Sequence, residues 1–225
     1  MSLIALLGTL ETGLIFALVA LGVYLSFRIL QFPDLTVDGS FPLGAAVSAI
    51  LIVNGFNPFL ATLVACVAGA GAGLITAWLN VRLKILHLLA SILTMIALYS
   101  INLRIMGRPN VALLGEQTVF TPLEALGVPT YMAIPAALFV LIVIAKVGMD
   151  RFLNSEIGLA MRATGANARM ARAQGINTNF YILLGMALSN ALVALAGALF
   201  AQSQGAADVT MGVGGISPCY GYGGD

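Results

Sequence analysis

The chain has 225 residues, 60% of them hydrophobic and only 8% charged, with a mean hydropathy of +1.01 and a net charge of +1. A soluble domain carries about 25% charged residues, so the composition excludes a water-covered surface and points to lipid as the solvent. The small net charge excludes a nucleic-acid partner, and Cys66 and Cys219 lack the spacing of a disulfide framework or a zinc site.

The chain opens on LIALLGTLETGLIFALVALGVYL, which has no basic leader and runs too long for a cleavable signal, so it reads as a retained helix. Apolar runs then predict about six membrane segments: residues 3–27, 41–53, 58–79, 85–103, 131–147 and 180–202. The runs are continuous rather than alternating, which predicts helices and not barrel strands. The fold class expected is therefore all-α, a polytopic membrane helical bundle with one segment broken or re-entrant. In the first segment Glu11 either lines a pathway or sits at the outer interface.

The second segment raises a length problem. FPDLTVDGSFPLG, residues 32–44, sets Asp34, Thr36, Asp38 and Ser40 between Pro33 and Pro42, ahead of only 13 apolar residues. As a helix these reach about 20 Å, against a hydrocarbon core of about 30 Å. Three readings stand: a re-entrant segment, a broken helix completed by the polar stretch, or a cytoplasmic loop with turns at its prolines and glycine. An Asp at the bilayer centre costs about 2.5–3.5 kcal/mol, so at least one of the two is expected near an interface. Asp34, Thr36, Asp38, Ser40 and, in the last segment, Asn190 are the candidates for a translocation pathway. Asn190, beside Ser189, reads first as bonding a neighbouring helix, with contact to the solute the alternative. GAGAG, residues 69–73, contains a GxxxG pair suited to close helix contact. His87, beside Arg82 and Lys84, reads as interfacial.

Lys and Arg set the orientation. Lys146, Arg151, Arg162, Arg169 and Arg172 crowd one loop, Arg82 and Lys84 another, and two spans separate these loops, so both face the cytoplasm and the N-terminus lies outside. Seven of the 19 charged residues fall between Lys146 and Arg172, whereas 39–81 has none.

RFLNSEIGLAMRATGANARMARAQGIN, residues 151–177, has more internal layout than an orienting loop needs. Ser155 is a suitable N-cap with Glu156 at the positive helix end. That helix is expected to end at Gly165 in a left-handed cap. Asn167 then caps a second helix, 168–174, which Gly175 ends. Seven residues do not hold a helix in water unaided, so this piece must dock. Arg169 and Arg172 share one face, and Met170, Ala171 and Ala173 leave the others small and apolar.

GLAMRATGANARMARAQGI resembles the cytoplasmic coupling segment of ATP-binding-cassette importer permeases of the branched-chain amino acid and simple-sugar group. Gly158, Arg162, Ala163, Gly165, Asn167, Ala171, Gly175 and Ile176 match the family pattern; Arg172 replaces a common alanine. FPDLTVDGSFPLGAAV, LTMIALYSINLRIMG and NALVALAGALFAQSQG also resemble this group, chiefly its uncharacterised amino-acid-like branch. The resemblance implies a permease domain over 1–215 with its coupling segment at 148–177, in a bacterial inner membrane. It implies a non-catalytic subunit with three protein partners: a nucleotide-binding ATPase, a second permease copy or paralogue, and an extracytoplasmic solute-binding protein. No GxxxxGK[ST] loop occurs, so no cofactor is expected here, and ATP and Mg belong to the partner ATPase. The alternative is a secondary transporter or channel, which needs its own ion relay. Relatives of the group continue past AADVTMGVG with further apolar helices, so a longer natural permease is expected, with 216–225 a disordered or non-native tail.

Overall fold

In the computed structural model, residues 3–121 and 130–212 are described; the expected tail at 216–225 lies outside the described residues. Five helices are long and apolar enough to span: α1 (Leu3–Val23) running into a π-helix (Tyr24–Ile29), α3 (Pro58–Leu83), α4 (His87–Met106), α5 (Thr130–Leu153) and α8 (Thr178–Gln204). Between them lie the shorter α2 (Val37–Val53) and the hairpin α6 (Glu156–Ala166) and α7 (Ala168–Ala173). The protein is an all-α polytopic membrane bundle, as the apolar runs predict.

Helix α8 is the axis. It packs against α1, α2 and α3, and glycines set the close approaches. A Cβ on Gly44 would overlap the Ala194 backbone, one on Gly197 the Phe41 carbonyl, and ones on Gly69 and Gly73 the Asn190 and Met186 carbonyls. Gly71, between those last two, faces open space. The GxxxG pair is therefore a helix-packing element. Apolar side chains on the far faces stay exposed, among them Leu63, Val67 and Ile75 of α3 and Phe139, Val143 and Ile144 of α5, as suits contact with hydrocarbon.

The two ends of the bundle are distinct. At one end β1 (Asn110–Ala112) and β2 (Ala206–Asp208) form a short antiparallel ladder, joining the exits of α4 and α8. At the other end the hairpin sits on the π-helix, and His87 meets the Phe32 ring edge-on with centroids 4.2 Å apart. This sorting matches the parity deduced from Lys and Arg. The ladder and the π-helix were not anticipated, and α5 runs on to Leu153. The first part of the basic loop is thus helical, with a Lys146–Asp150 ion pair of 2.8 Å.

Candidate functional site

The second segment begins with a break between two helices. The π-helix ends with the Leu30 N–H bonding the Leu25 carbonyl at 3.2 Å, the five-residue step of that geometry. Gln31 then takes a left-handed conformation at φ +52°, and the chain is irregular through Asp34 and turns at Leu35 and Thr36 before α2 begins. Helix α2 starts four residues earlier than the apolar run and has 17 residues, about 26 Å of rise. That is still short of a full span.

The polar stretch that leads into α2 packs inside the protein. Asp34, Thr36 and Ser40 are wholly buried. The Asn190 amide donates to Asp34 Oδ2 at 2.7 Å and to the Met186 carbonyl at 3.1 Å, and accepts from the Ser40 hydroxyl at 2.8 Å. The Thr36 N–H donates to Asp34 Oδ1 at 2.9 Å, and the Thr36 and Thr76 hydroxyls share a bond of 2.8 Å. Asn190 lies mid-way along α8, and Gly39 packs on Leu98 and Met95 in the middle of α4. Asp34 thus lies beside the middle of α8, and Asp38 beside Met95 to Asn102 of α4. Buried polar groups at such depth need partners, and Asn190 supplies them to both sides of the break.

The five pathway candidates thus divide. Asp34, Thr36, Ser40 and Asn190 bond one another; Asp38 instead lines a cavity of about 150 Å³ between α2 and α4. Asn102 of α4, which sequence reasoning missed, lines the same cavity and donates to the Gly39 carbonyl at 3.3 Å. Its only sequence signal is a lone amide inside an apolar span. Glu11 is half-buried and accepts from the Ser203 hydroxyl of α8.

The hairpin is built as its caps predict, with one correction. Ser155 accepts from the Gly158 N–H at 3.4 Å, and Asn167 Oδ1 accepts from the Arg169 and Met170 N–H groups, each at 3.1 Å. Gly175 ends α7 at φ +82°. Gly165, however, is not a left-handed cap, because α6 continues through it to Ala166. Glycine is needed there for proximity: a Cβ would overlap the carbonyl oxygen of Ile29, the last π-helix residue. Gly158 is likewise pressed on the Phe152 and Leu153 backbone at the end of α5.

Met161 is fully buried in a cluster with Leu25, Ile29, Leu30 and Met186, and so pins α6 between the π-helix and α8. Ala171 is buried under α7. Arg162 and Ala163 of α6, Asn167, and Arg169, Met170 and Arg172 of α7 are exposed, Met170 by 63%. A protruding thioether between two guanidinium groups is a surface suited to a groove on another protein.

Residues 5–220 match the family described as "Branched-chain amino acid transport system / permease component". The chain is 39% identical over 209 residues to the tyrosine transport system permease protein of Clostridioides difficile, covering 93% of this chain and 68% of that one. It is 38% identical over 209 residues to an uncharacterised protein of Rickettsia prowazekii, covering 93% and 72%. Against the galactofuranose transporter permease protein of Escherichia coli the identity is 26% over 179 residues, covering 78% and 50%. No solved structure matches.

Proposed function

We propose a division of labour within the molecule from one premise: this chain belongs to the branched-chain amino acid transport system permease family. It is the transmembrane permease subunit of an ATP-driven importer, and that membership sets aside the secondary-transporter alternative. Such a permease works with an ATPase and a solute-binding protein. A second permease copy or paralogue completes the membrane unit, lipid surrounds it, and the location is a bacterial inner membrane with the hairpin on the cytoplasmic side. The solute is an amino acid or a close chemical relative, in line with the tyrosine permease similarity.

In this reading Gly158, Arg162, Ala163, Gly165, Asn167, Ala171 and Gly175 form the ATPase-coupling segment. Gly158 and Gly165 seat α6, Asn167 and Gly175 fix the two ends of α7, and Ala171 anchors its inner face. Arg162 and Ala163 stand on the open side of α6. Asp34, Thr36, Ser40 and Asn190 hold the broken crossing that lines the route, and Asp38 faces the solute.

One observation carries the coupling role. The hairpin rests on the last π-helix residue, Ile29, and the broken crossing starts directly after it. Closure of an ATPase around α7 would therefore push on backbone continuous with Asp34.

Coexpression with the ATPase tests this. Met170→Asp should leave membrane insertion intact and abolish copurification of the ATPase. Equal copurification with the parent would remove the hairpin from the coupling role.

A further inference from the structure

We infer that the cavity between the first turn of α2 and the middle of α4 is a binding station for the primary ammonium group of the transported solute. This rests on the importer reading above and goes past it to the chemistry of recognition.

Two buried acceptors point to an occupant. Asn102 is fully buried, its amide nitrogen is committed to the Gly39 carbonyl, and its Oδ1 has no hydrogen-bond partner. Asp38 Oδ1 is likewise buried with no partner. Both residues line the same cavity. A buried acceptor left unmatched is rare and costly, and two lining one cavity define what is missing: a donor.

The donor carries positive charge. Among the described residues the ion pair is Lys146–Asp150 at the far end of α5, so no Lys or Arg neutralises Asp38. A metal cation fits poorly. Hard cations take six or more oxygen ligands, and no group of three metal-ligating side chains occurs among the described residues. An ammonium takes three bonds in flexible directions, which one carboxylate oxygen, one amide oxygen and a water supply. Tyr99 lines the cavity as well, and an aromatic ring attracts such a cation.

Size agrees with a head-group site. The cavity's roughly 150 Å³ equals about five waters at ~30 Å³ each. That is room for an ammonium and its neighbouring carbons. Ile96 and Tyr99 line the cavity and are exposed, so the rest of the solute would lie against them.

Thiol protection in the assembled transporter tests the inference. With Cys66 and Cys219 replaced by alanine, Ile96→Cys is placed at the mouth, and its labelling rate is read in nanodiscs holding permease and ATPase. Tyramine and L-tyrosine, which keep the ammonium, should slow labelling. 3-(4-Hydroxyphenyl)propionate, which lacks only the amine of tyrosine, should not. Asp38→Asn should raise the half-protecting tyramine concentration by about tenfold or more, as expected for loss of a charged hydrogen bond, and Asp38→Glu should largely restore it. Equal protection by the deaminated acid, protection that follows sodium and ignores tyramine, or no protection by any probe would each overturn the site. Copurification of the ATPase, scored in the same samples, reports separately on the importer reading.

Discussion

Gly165 and Gly175 are both glycines at helix ends in the α6–α7 hairpin, yet the structure assigns them opposite reasons. At Gly165 the backbone is helical, and an added Cβ would overlap the Ile29 carbonyl oxygen, with Leu30 Cα only 3.1 Å away. Both obstacles are backbone, so neither can rotate aside. Overpacking of this kind costs about 1–3 kcal/mol, while Gly→Ala inside a helix gains about 1 kcal/mol of propensity. The clash wins, and Gly165→Ala should destabilise by up to about 2 kcal/mol. Gly165→Val should lose more, and Gly165→Asn should fare no better than alanine. At Gly175 the space is open and φ is +82°. There Asn, which tolerates the left-handed region, should be nearly neutral, and Val should fail. Thermal unfolding in detergent and ATPase copurification of the five-variant set would measure this. A rise in stability for Gly165→Ala, the behaviour of an ordinary helical glycine, would refute the close-approach argument and unseat α6 from Ile29.

Asn190→Leu strips partners from both Asp34 and Ser40. It should cost about 1–3 kcal/mol for each buried group left unmatched, and a thermal double-mutant cycle with Asp34→Asn should show strong non-additivity. The GAGAG stretch should tolerate Gly71→Leu, which meets open space, and reject Gly69→Leu and Gly73→Leu, whose new side chains would enter α8; thermal unfolding in detergent is the readout. Gln31→Gly removes a left-handed residue that costs about 1–2 kcal/mol and should raise thermal stability. Gln31→Val should lower it, and equal melting of all three chains would show that the joint carries no strain.

The spans were legible because their signal is one of length and continuity: all six apolar runs became helices, with ends moved by a few residues. The caps at Ser155 and Asn167 were legible too, since a short polar side chain before an apolar turn has one local use. Gly165 was not. The same residue type serves a left-handed turn and a tight crossing, and only the neighbour, Ile29, distinguishes them. Asn190 carried both a packing reading and a pathway reading for the same reason, because its partners lie about 150 residues away at Asp34 and Ser40. Asn102 went unnoticed: one amide in an apolar helix has no periodicity to betray it. The π-helix left no trace in YLSFRI, where an extra backbone residue per turn depends on the packing of Leu25 and Ile29 rather than on any residue preference.

The π-helix and the break form one mechanical element. Ile29 is the last residue of the π-helix, where the final carbonyls lie outside the ladder, and its carbonyl lies against α6 at Gly165. Two residues later Gln31 reverses the backbone sign, and three residues after that Asp34 is locked to Asn190. A displacement of α6 therefore has little slack to absorb it: Leu30 is wedged against Gly185 and Met161, and Phe32 is buried beside His87. The soft coordinate left is the backbone turn at Gln31, whose side chain is exposed and whose conformation is already unfavourable. On the proposed coupling, motion of the hairpin is relieved by rotation there and reaches the Asp34–Asn190 bond, which ties the stretch leading into α2 to α8. The bond most exposed to that motion is thus the one that closes the break beside the solute's route.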